Sequence, residues 1–530
     1  MKKIYTPFVL ALLVFLAVSC ADFLTEDPKS TLSEDQYYKT PSDALTAVNA
    51  TYFFYNGAGP NGSSQTAYNS LMQVGMEFAT DEQYPGPGAT NPDVRSLSVH
   101  NHSSTNRTIY ENWQQHYAGI KKCNVAIEKI PQIDFGSNAA LQARYIGEAK
   151  FNRAFIYFNI VRLWGDVPLI TENQNYVKAQ DYYVAKSAAT EIYAQIEKDL
   201  TEAAGVLPNS YTGGDLGRAT AGAAKALLAK VYLTKASFPL RLESHYQDAI
   251  TQAEQVLSPI DGGTGVYNYN LRQKYADVFL PATKNNEEHI FSAQYMSNFQ
   301  TQGRNDFFRT LPRFPSSFGI IGNYADQVNF YTKGTDKSFN IYKLFKKNDK
   351  RRKVTFSTLY VNPRNGAKFS LPIANPAYPG DSTPYFNKAY DPTAFTAIPA
   401  EAATNVTLLR YAELLLIHAE AENELNGPTD KAYKSFNRIR NRAGLKDLTP
   451  GLSQAQFRDS LYLDRELELV YEYQRWFDLI RQRDEAGNPS FVEKLHAAGK
   501  INAVDRNRWF PIPQIELDNN PLLEQNELWK

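Results

Sequence analysis

Apolar positions recur every three or four residues at both ends of the chain, and that period fades in the middle. In the N-terminal part it predicts helices over Ser42 to Phe54, Tyr110 to Ile130, Leu141 to Trp164, Ala188 to Val206, Thr220 to Ala236 and His245 to Leu257. Breakers punctuate them: Pro41 precedes the first, and Pro131, Gly165, Pro208 and Pro239 follow later ones. After the middle stretch, helices are predicted over Thr407 to Asn426, Thr429 to Ala443 and Ser453 to Arg483. Short turns such as ELNGPTDKA join several of them, so the pattern predicts a mainly α fold of tetratricopeptide-repeat-like helix pairs, although no strict repeat consensus is present.

Residues 261–403 read differently. Gly, Pro, Asn, Ser and Tyr become frequent, as in PIANPAYPGDSTPYFNKAYDP, and short β-like runs such as HIFSAQY occur. This is a large, irregular, loop-rich insertion with short β segments, and loops on a rigid scaffold commonly carry binding. The expected organisation is residues 1–19 a signal peptide, 20–40 a tether, 41–260 an N-terminal helical part, 261–403 the irregular ligand-binding region and 404–530 a C-terminal helical part. Residues 41–530 together form one globular unit.

The first residues depart from both patterns. Lys2 and Lys3 precede an unbroken apolar run from Phe8 to Val18, and no charge returns before Asp22. That is the layout of a secretory signal, too short to span a bilayer. Cys20 follows the small residue Ser19, which predicts cleavage before Cys20 and lipidation of its thiol; Ala17 stands where bacterial lipoboxes usually carry Leu. Several acyl chains anchor stably where one is marginal.

Composition narrows the function. Lys+Arg and Asp+Glu both number 56, and the chain has no net basic face to recommend nucleic acid as a partner. Only two cysteines occur, so after Cys20 is acylated Cys123 has no intrachain partner. Aromatics reach 13%, with 34 Tyr and 30 Phe, enough to fill a core and also to form stacking platforms.

Enzyme signatures are missing: no nucleophile elbow, P-loop, H-E-x-x-H or CxxC is present. His100 and His102 could ligate a metal, but a solvated surface pair is the commoner arrangement. Glu420 and Glu424 share a helical face, read here as an exposed charged stripe. KLFKKNDKRRK (Lys343 to Lys353) reads as a solvated charged segment. Within RELELVYEYQRWFDLIR, Leu469, Tyr473, Trp476 and Ile480 fall on one helical face, and Arg475/Asp478 and Asp478/Arg481 read as i, i+3 pairs on the helix surface.

Four segments carry a family likeness: Cys20 with FLTEDP, EAKFNRAFIYFNIVRLWGDVPLI (Glu148 to Ile170), LLRYAELLLIHAEAENEL with FNRIRNRAGL, and RELELVYEYQRWFDLIR with RWFPIPQIELDNNPLLEQN. Through them the chain resembles the SusD/RagB family of outer-membrane, surface-exposed nutrient-binding lipoproteins. The resemblance implies a SusD-like fold and a non-catalytic protein; no cofactor and no metal site is predicted from the residues. It also implies capture of oligosaccharides for glycan uptake and polysaccharide utilization, as the lid of a SusC-like TonB-dependent transporter. A peptide ligand, as in RagB-like members, is the alternative. A surface glycan hydrolase and a scaffold that binds only protein are the remaining ones. The basic run matches a D-x-R-like segment of the family, Asp349 to Arg351.

The family motifs read as structural, so candidate ligand residues follow from position. They are Tyr84, with Asp81, in the loop TDEQYPGPG; Asn101; and Arg304, Phe307, Phe308, Arg309, Phe314, Phe318 and Tyr324 in the irregular region. Flat aromatic faces suit the apolar face of a pyranose, and the polar residues suit its hydroxyls. Neither stretch holds a tryptophan, which points away from a site dominated by indole stacking.

Overall fold

The computed structural model describes residues 37–56, 67–86, 88–173, 183–296, 328–329, 341–362, 365–370, 385–388, 390–391 and 402–530. Its N-terminal part is α1 (Pro41–Asn56), α2 (Pro92–Ser98), α3 (Arg107–Lys129), α4 (Ala139–Trp164), α5 (Ala189–Val206), α6 (Ala221–Ala236) and α7 (His245–Glu254). The starts are set by capping side chains. Asn106, Asn138 and Thr220 accept from the backbone N–H of Ile109, Leu141 and Ala223, each satisfying one of the free donors at a helix N-terminus. Gly165 closes α4 at φ 73°, a left-handed position that favours glycine. A Cβ there would meet the Trp509 ring at 3.2 Å.

Successive helices pack side by side: α1 on α3, α3 on α4, α4 on α5, α5 on α6 and α6 on α7. The ladder continues through α7 to α9 (Tyr411–Asn426) and from α9 to α10 (Asp430–Arg442) and α11 (Gln454–Leu469). One core cluster runs from Phe54 to Leu523, so both helical parts bury their apolar faces against a shared interior.

Two predicted helices differ. The segment Val406–Arg410, expected as the start of a helix, is a strand, β8, antiparallel to β2 (His289–Ala293), with every residue of both buried. A short run that is apolar on both faces looks alike as buried strand or buried helix. The helix expected over Ser453 to Arg483 breaks after Leu469 and resumes as the short α12 (Arg475–Leu479), with Tyr471 and Tyr473 at φ 60° and 59°. Leu469, Tyr473, Trp476 and Ile480 are all buried, as their pattern requires, but on a broken backbone.

In the middle, β1 (Tyr84–Pro85) pairs with β3 (Val328–Asn329), β4 (Phe356–Ser357) with β7 (Tyr385–Phe386), and β5 (Leu359–Val361) with β6 (Lys368–Ser370), all antiparallel. The short helix α8 (Lys350–Thr355) precedes β4. Apart from β1, these are the short β segments expected of the insertion. Among the described residues no helix is long and apolar enough to cross a membrane.

The charged motifs depart most from expectation. Lys343, Lys346, Lys347, Lys350 and Lys353 are exposed, but Arg351 within the same run is fully buried. Its guanidinium bonds Asp349 at 2.8 Å, Asp464 at 2.6 Å and Glu468 at 3.3 Å. Glu468 also takes Arg410 at 2.6 Å and Arg442, while Glu288 takes the same two arginines at 2.8 Å each. Glu420 and Glu424 form no exposed stripe: Glu420 is paired to Arg481, and Glu424 to Arg458 and Arg483. Asp478 and Arg481 do pair at 2.9 Å, inside the protein, and Asp478 also takes Arg465 at 2.8 Å. Arg475 binds Asp81 and Glu466 instead of Asp478. Helix-surface spacing rules describe solvated helices, whereas most of these side chains join separate elements, from 34 residues apart (Glu424 and Arg458) to 394 (Asp81 and Arg475).

Candidate functional site

The loop Glu77 to Gly86 sits on a buried polar base. Glu77, Asp81, Glu82 and Gln83 are all at most 2% exposed. Arg475 donates to both Asp81 oxygens, at 2.7 and 2.5 Å. Asp81, 2% exposed, therefore holds the loop from inside rather than facing solvent. Gln83 donates to Glu77 at 3.1 Å, and His100 Nε2 lies 2.9 Å from the Ala79 carbonyl. Lys500 donates to the Phe78 carbonyl at 2.5 Å.

Burial governs the charges here. It pushes Glu77 up to about 8, with the Asp81 and Asp478 carboxylates adding to the rise and Arg475 opposing it. It pushes Glu466 up to about 7 and brings Lys500 down to about 7.

Tyr84 is the first loop residue to turn outward. It is partly exposed, and as part of β1 it stands opposite Asn329 of β3. The loop after the first helix and Val328–Asn329 therefore meet in a short antiparallel pairing at Tyr84. Arg95 of α2 donates to the Gly86 carbonyl at 3.0 Å and ties α2 to this loop. Asn101, just beyond α2, is exposed, and its backbone N–H closes on the Ser96 carbonyl at 2.9 Å. Arg304, Phe307, Phe308, Arg309, Phe314, Phe318 and Tyr324 lie outside the described residues, as does Cys20.

The His100/His102 pair is not a solvated surface pair. His100 stacks on Trp476 with ring centroids 6.2 Å apart, and His102 packs against Phe510 and Trp529. Burial lowers both pKa values, His102 to about 4, so the rings are neutral core groups. Cys123 is fully buried, and burial pushes its thiol up to about 12, which makes it unreactive.

A second concavity escaped sequence reasoning because three distant segments build it. It has a volume of about 190 Å³ and is lined by Tyr211, Tyr269, Asn268, Glu287, His289 and Ser292, among others. His289 Nδ1 and Ser292 Oγ are buried in its wall without a hydrogen-bond partner among the described residues. Tyr211 and Tyr269 supply aromatic faces beside them.

Two of the segments that carried the family likeness, Glu148 to Ile170 and RWFPIP, meet in the core. Arg153 pairs with Asp199 at 2.8 Å and donates to the Thr171 carbonyl. Phe510 of RWFPIP donates its backbone N–H to Leu163, one residue before Trp164. The sequence profile described as SusD family matches residues 242–529, more than half the chain. The chain belongs to the SusD family. A second profile, described as starch-binding associating with outer membrane, matches residues 22–233. SusD-like protein P25 of Formosa agariphila is 27% identical, over 99% of this chain and 98% of its own. Among solved structures, a SusD superfamily protein of Parabacteroides distasonis superposes with a TM-score of 0.74 at 28% identity, covering 92% of this chain and 98% of that one. A laminarin-binding SusD-like protein superposes at 0.70 with 25% identity, covering 92% and 100%. The helical scaffold described above is thus the SusD fold.

Proposed function

We propose that this SusD-family chain is a non-catalytic, lipid-anchored outer-membrane protein that captures oligosaccharides at the cell surface. In this reading it passes them to a SusC-like TonB-dependent transporter, which it covers as a lid. The observation that carries the glycan assignment is the full-length likeness to a laminarin-binding SusD-like protein. The profile description naming starch binding and the outer membrane supports the location. Tyr84 supports the site: it is a partly exposed aromatic on a loop braced by the Asp81–Arg475 pair. Rigid placement of an aromatic face lowers the entropy cost of stacking a sugar ring on it. Tyr84 and Asn101 form the described rim, and Arg304, Phe307, Phe308, Arg309, Phe314, Phe318 and Tyr324 are assigned the rest.

The test is calorimetry on residues 21–530 against laminarin-type and other glycans and a peptide panel. Glycan binding without turnover is the expected result. Peptide binding alone would shift the ligand class and keep the family role. Glycan turnover abolished by one carboxylate substitution would replace this reading with hydrolysis. Recovery of a barrel protein with the chain from outer membranes tests the lid role, and recovery of none counts against it.

A further inference from the structure

Where α7, α9 and α10 meet, three side chains from two of these helices converge on one point. Glu254 ends α7, and His418 and Glu422 lie one turn apart on α9. One donor atom from each lies within 4.8 Å of the others. His418 is only 2% exposed, yet its Nε2 has no hydrogen-bond partner among the described residues and faces Glu254 Oε1 at 3.6 Å. Its other ring nitrogen, Nδ1, lies 2.9 Å from Ser435 Oγ on α10. With Nδ1–H donating to Ser435, Nε2 presents its lone pair to the two carboxylates. A metal-bound histidine is commonly oriented in this way through its second nitrogen.

The Glu422 carboxylate is fixed from behind, where Oε2 accepts from Asn426 at 3.0 Å and Thr429 at 3.3 Å. Its Oε1 is turned toward Lys431, whose ammonium stands 3.9 Å away and 2.7 Å from Glu254. That lysine is 60% exposed along its side chain. A cation already bridges the two carboxylates, therefore, and it is one that can swing into solvent.

We infer that Glu254, His418 and Glu422 form a binding site for a divalent transition-metal ion, best matched by zinc, and that Lys431 is its internal competitor. One imidazole and two carboxylates are borderline donors suited to zinc, and two carboxylates balance its charge. Ligands on a tetrahedral ion at about 2.0–2.2 Å sit roughly 3.3–3.5 Å apart. The 3.6 Å between His418 and Glu254 is close to that, and half-exposed Glu254 has freedom to close the rest. Water completes the coordination from the open side. The ion would cross-link α7 to α9, and Lys431 leaving would free the first turn of α10.

The test titrates chelator-treated residues 21–530 with zinc by calorimetry and with cobalt by visible absorption. One equivalent of zinc and a tetrahedral-type cobalt spectrum are expected. Glu254→Gln and His418→Ala should each weaken binding by about tenfold or more. Lys431→Met should tighten it by a similar factor. Glu254 is partly exposed, so its Gln variant should keep the parental melting curve without metal and remain informative if the His418 variant misfolds. Absence of zinc binding by the parental chain overturns the site. So does unchanged affinity in Glu254→Gln, or loss of binding on replacing the surface residue His245 instead. Unchanged affinity in Lys431→Met overturns the competitor role.

Discussion

Glu468 has no exposed surface and sits among positive charges. Burial alone would raise its pKa, but Arg442, Arg410, Arg351 and Lys388 overcome that and hold its carboxyl well below the usual range. A depressed carboxylate stabilises the fold above its unfolded pKa, and this contribution is lost as pH falls toward the folded value. Glu77 behaves in the opposite sense. Its folded pKa is raised to about 8, so its contribution is full below the ordinary carboxyl value of 4.5 and is lost as pH rises through 8. Thermal stability should therefore be greatest at mildly acidic to neutral pH. In melts across pH, Glu77→Gln should flatten the alkaline side. Glu468→Gln should cost about 3–5 kcal/mol, because it leaves several buried arginines short of a counter-charge. A Glu468→Gln protein as stable as its parent would show that the network is decorative. Tyr84 is the contrasting residue: its side chain is partly exposed and makes no hydrogen bond among the described residues. Tyr84→Ala should leave the melt unchanged and weaken glycan binding about tenfold, the scale of one aromatic stacking contact. If binding persists, the cleft beside Tyr211 is the next place to substitute.

At the scale of elements, close helix contact decides tolerance. Gly119 of α3 lies where α1 and α4 press in: a Cβ there would stand 2.8 Å from Ile156 Cδ1 and 3.1 Å from the Phe54 ring. The Ile156 terminus can rotate aside, but the buried Phe54 ring must also give by a few tenths of an ångström, so Gly119→Ala should be mildly destabilising. Gly119→Val adds two more methyls beside that ring and should lower stability by about 1–3 kcal/mol in denaturant unfolding. The helices themselves were legible in the sequence because Pro, Gly and capping Asn or Thr mark their ends. What the chain did not display was tertiary. LLRYAE reads as helix until β2 is seen beside it, since only the partner strand distinguishes the two. YEYQ reads as helix until Tyr471 and Tyr473 are found in the left-handed region, which buried packing imposes against local preference. Asp81 looked like a free loop carboxylate because its partner, Arg475, is nearly four hundred residues away. Tyr84 and Asn101 were reached by position alone, through the family resemblance, because no helix was read between Phe54 and Tyr110 and the one before Asn101 is short.

At the scale of the whole molecule, one interior joins residues from Phe54 to Leu523, and no described helix is fit to cross a membrane. In the proposed reading, all attachment passes through the acyl chains on Cys20, at the head of an acidic tether containing Asp22, Glu26 and Asp27. The described core runs from Phe54 to Leu523, and the Tyr84 loop from Glu77 to Gly86. Anchoring and capture should therefore separate cleanly under mutation. Cys20→Ala, expressed with its export signal, should move from the membrane to the soluble fraction. It should keep the melting temperature of residues 21–530 and their glycan affinity in solution. A protein that stays with the membrane after the substitution would be held by a surface of the folded unit, and the transporter contact would then be the first candidate for that hold. Loss of uptake in cells carrying Cys20→Ala, with affinity in solution unchanged, would place the need for the anchor in delivery rather than in binding.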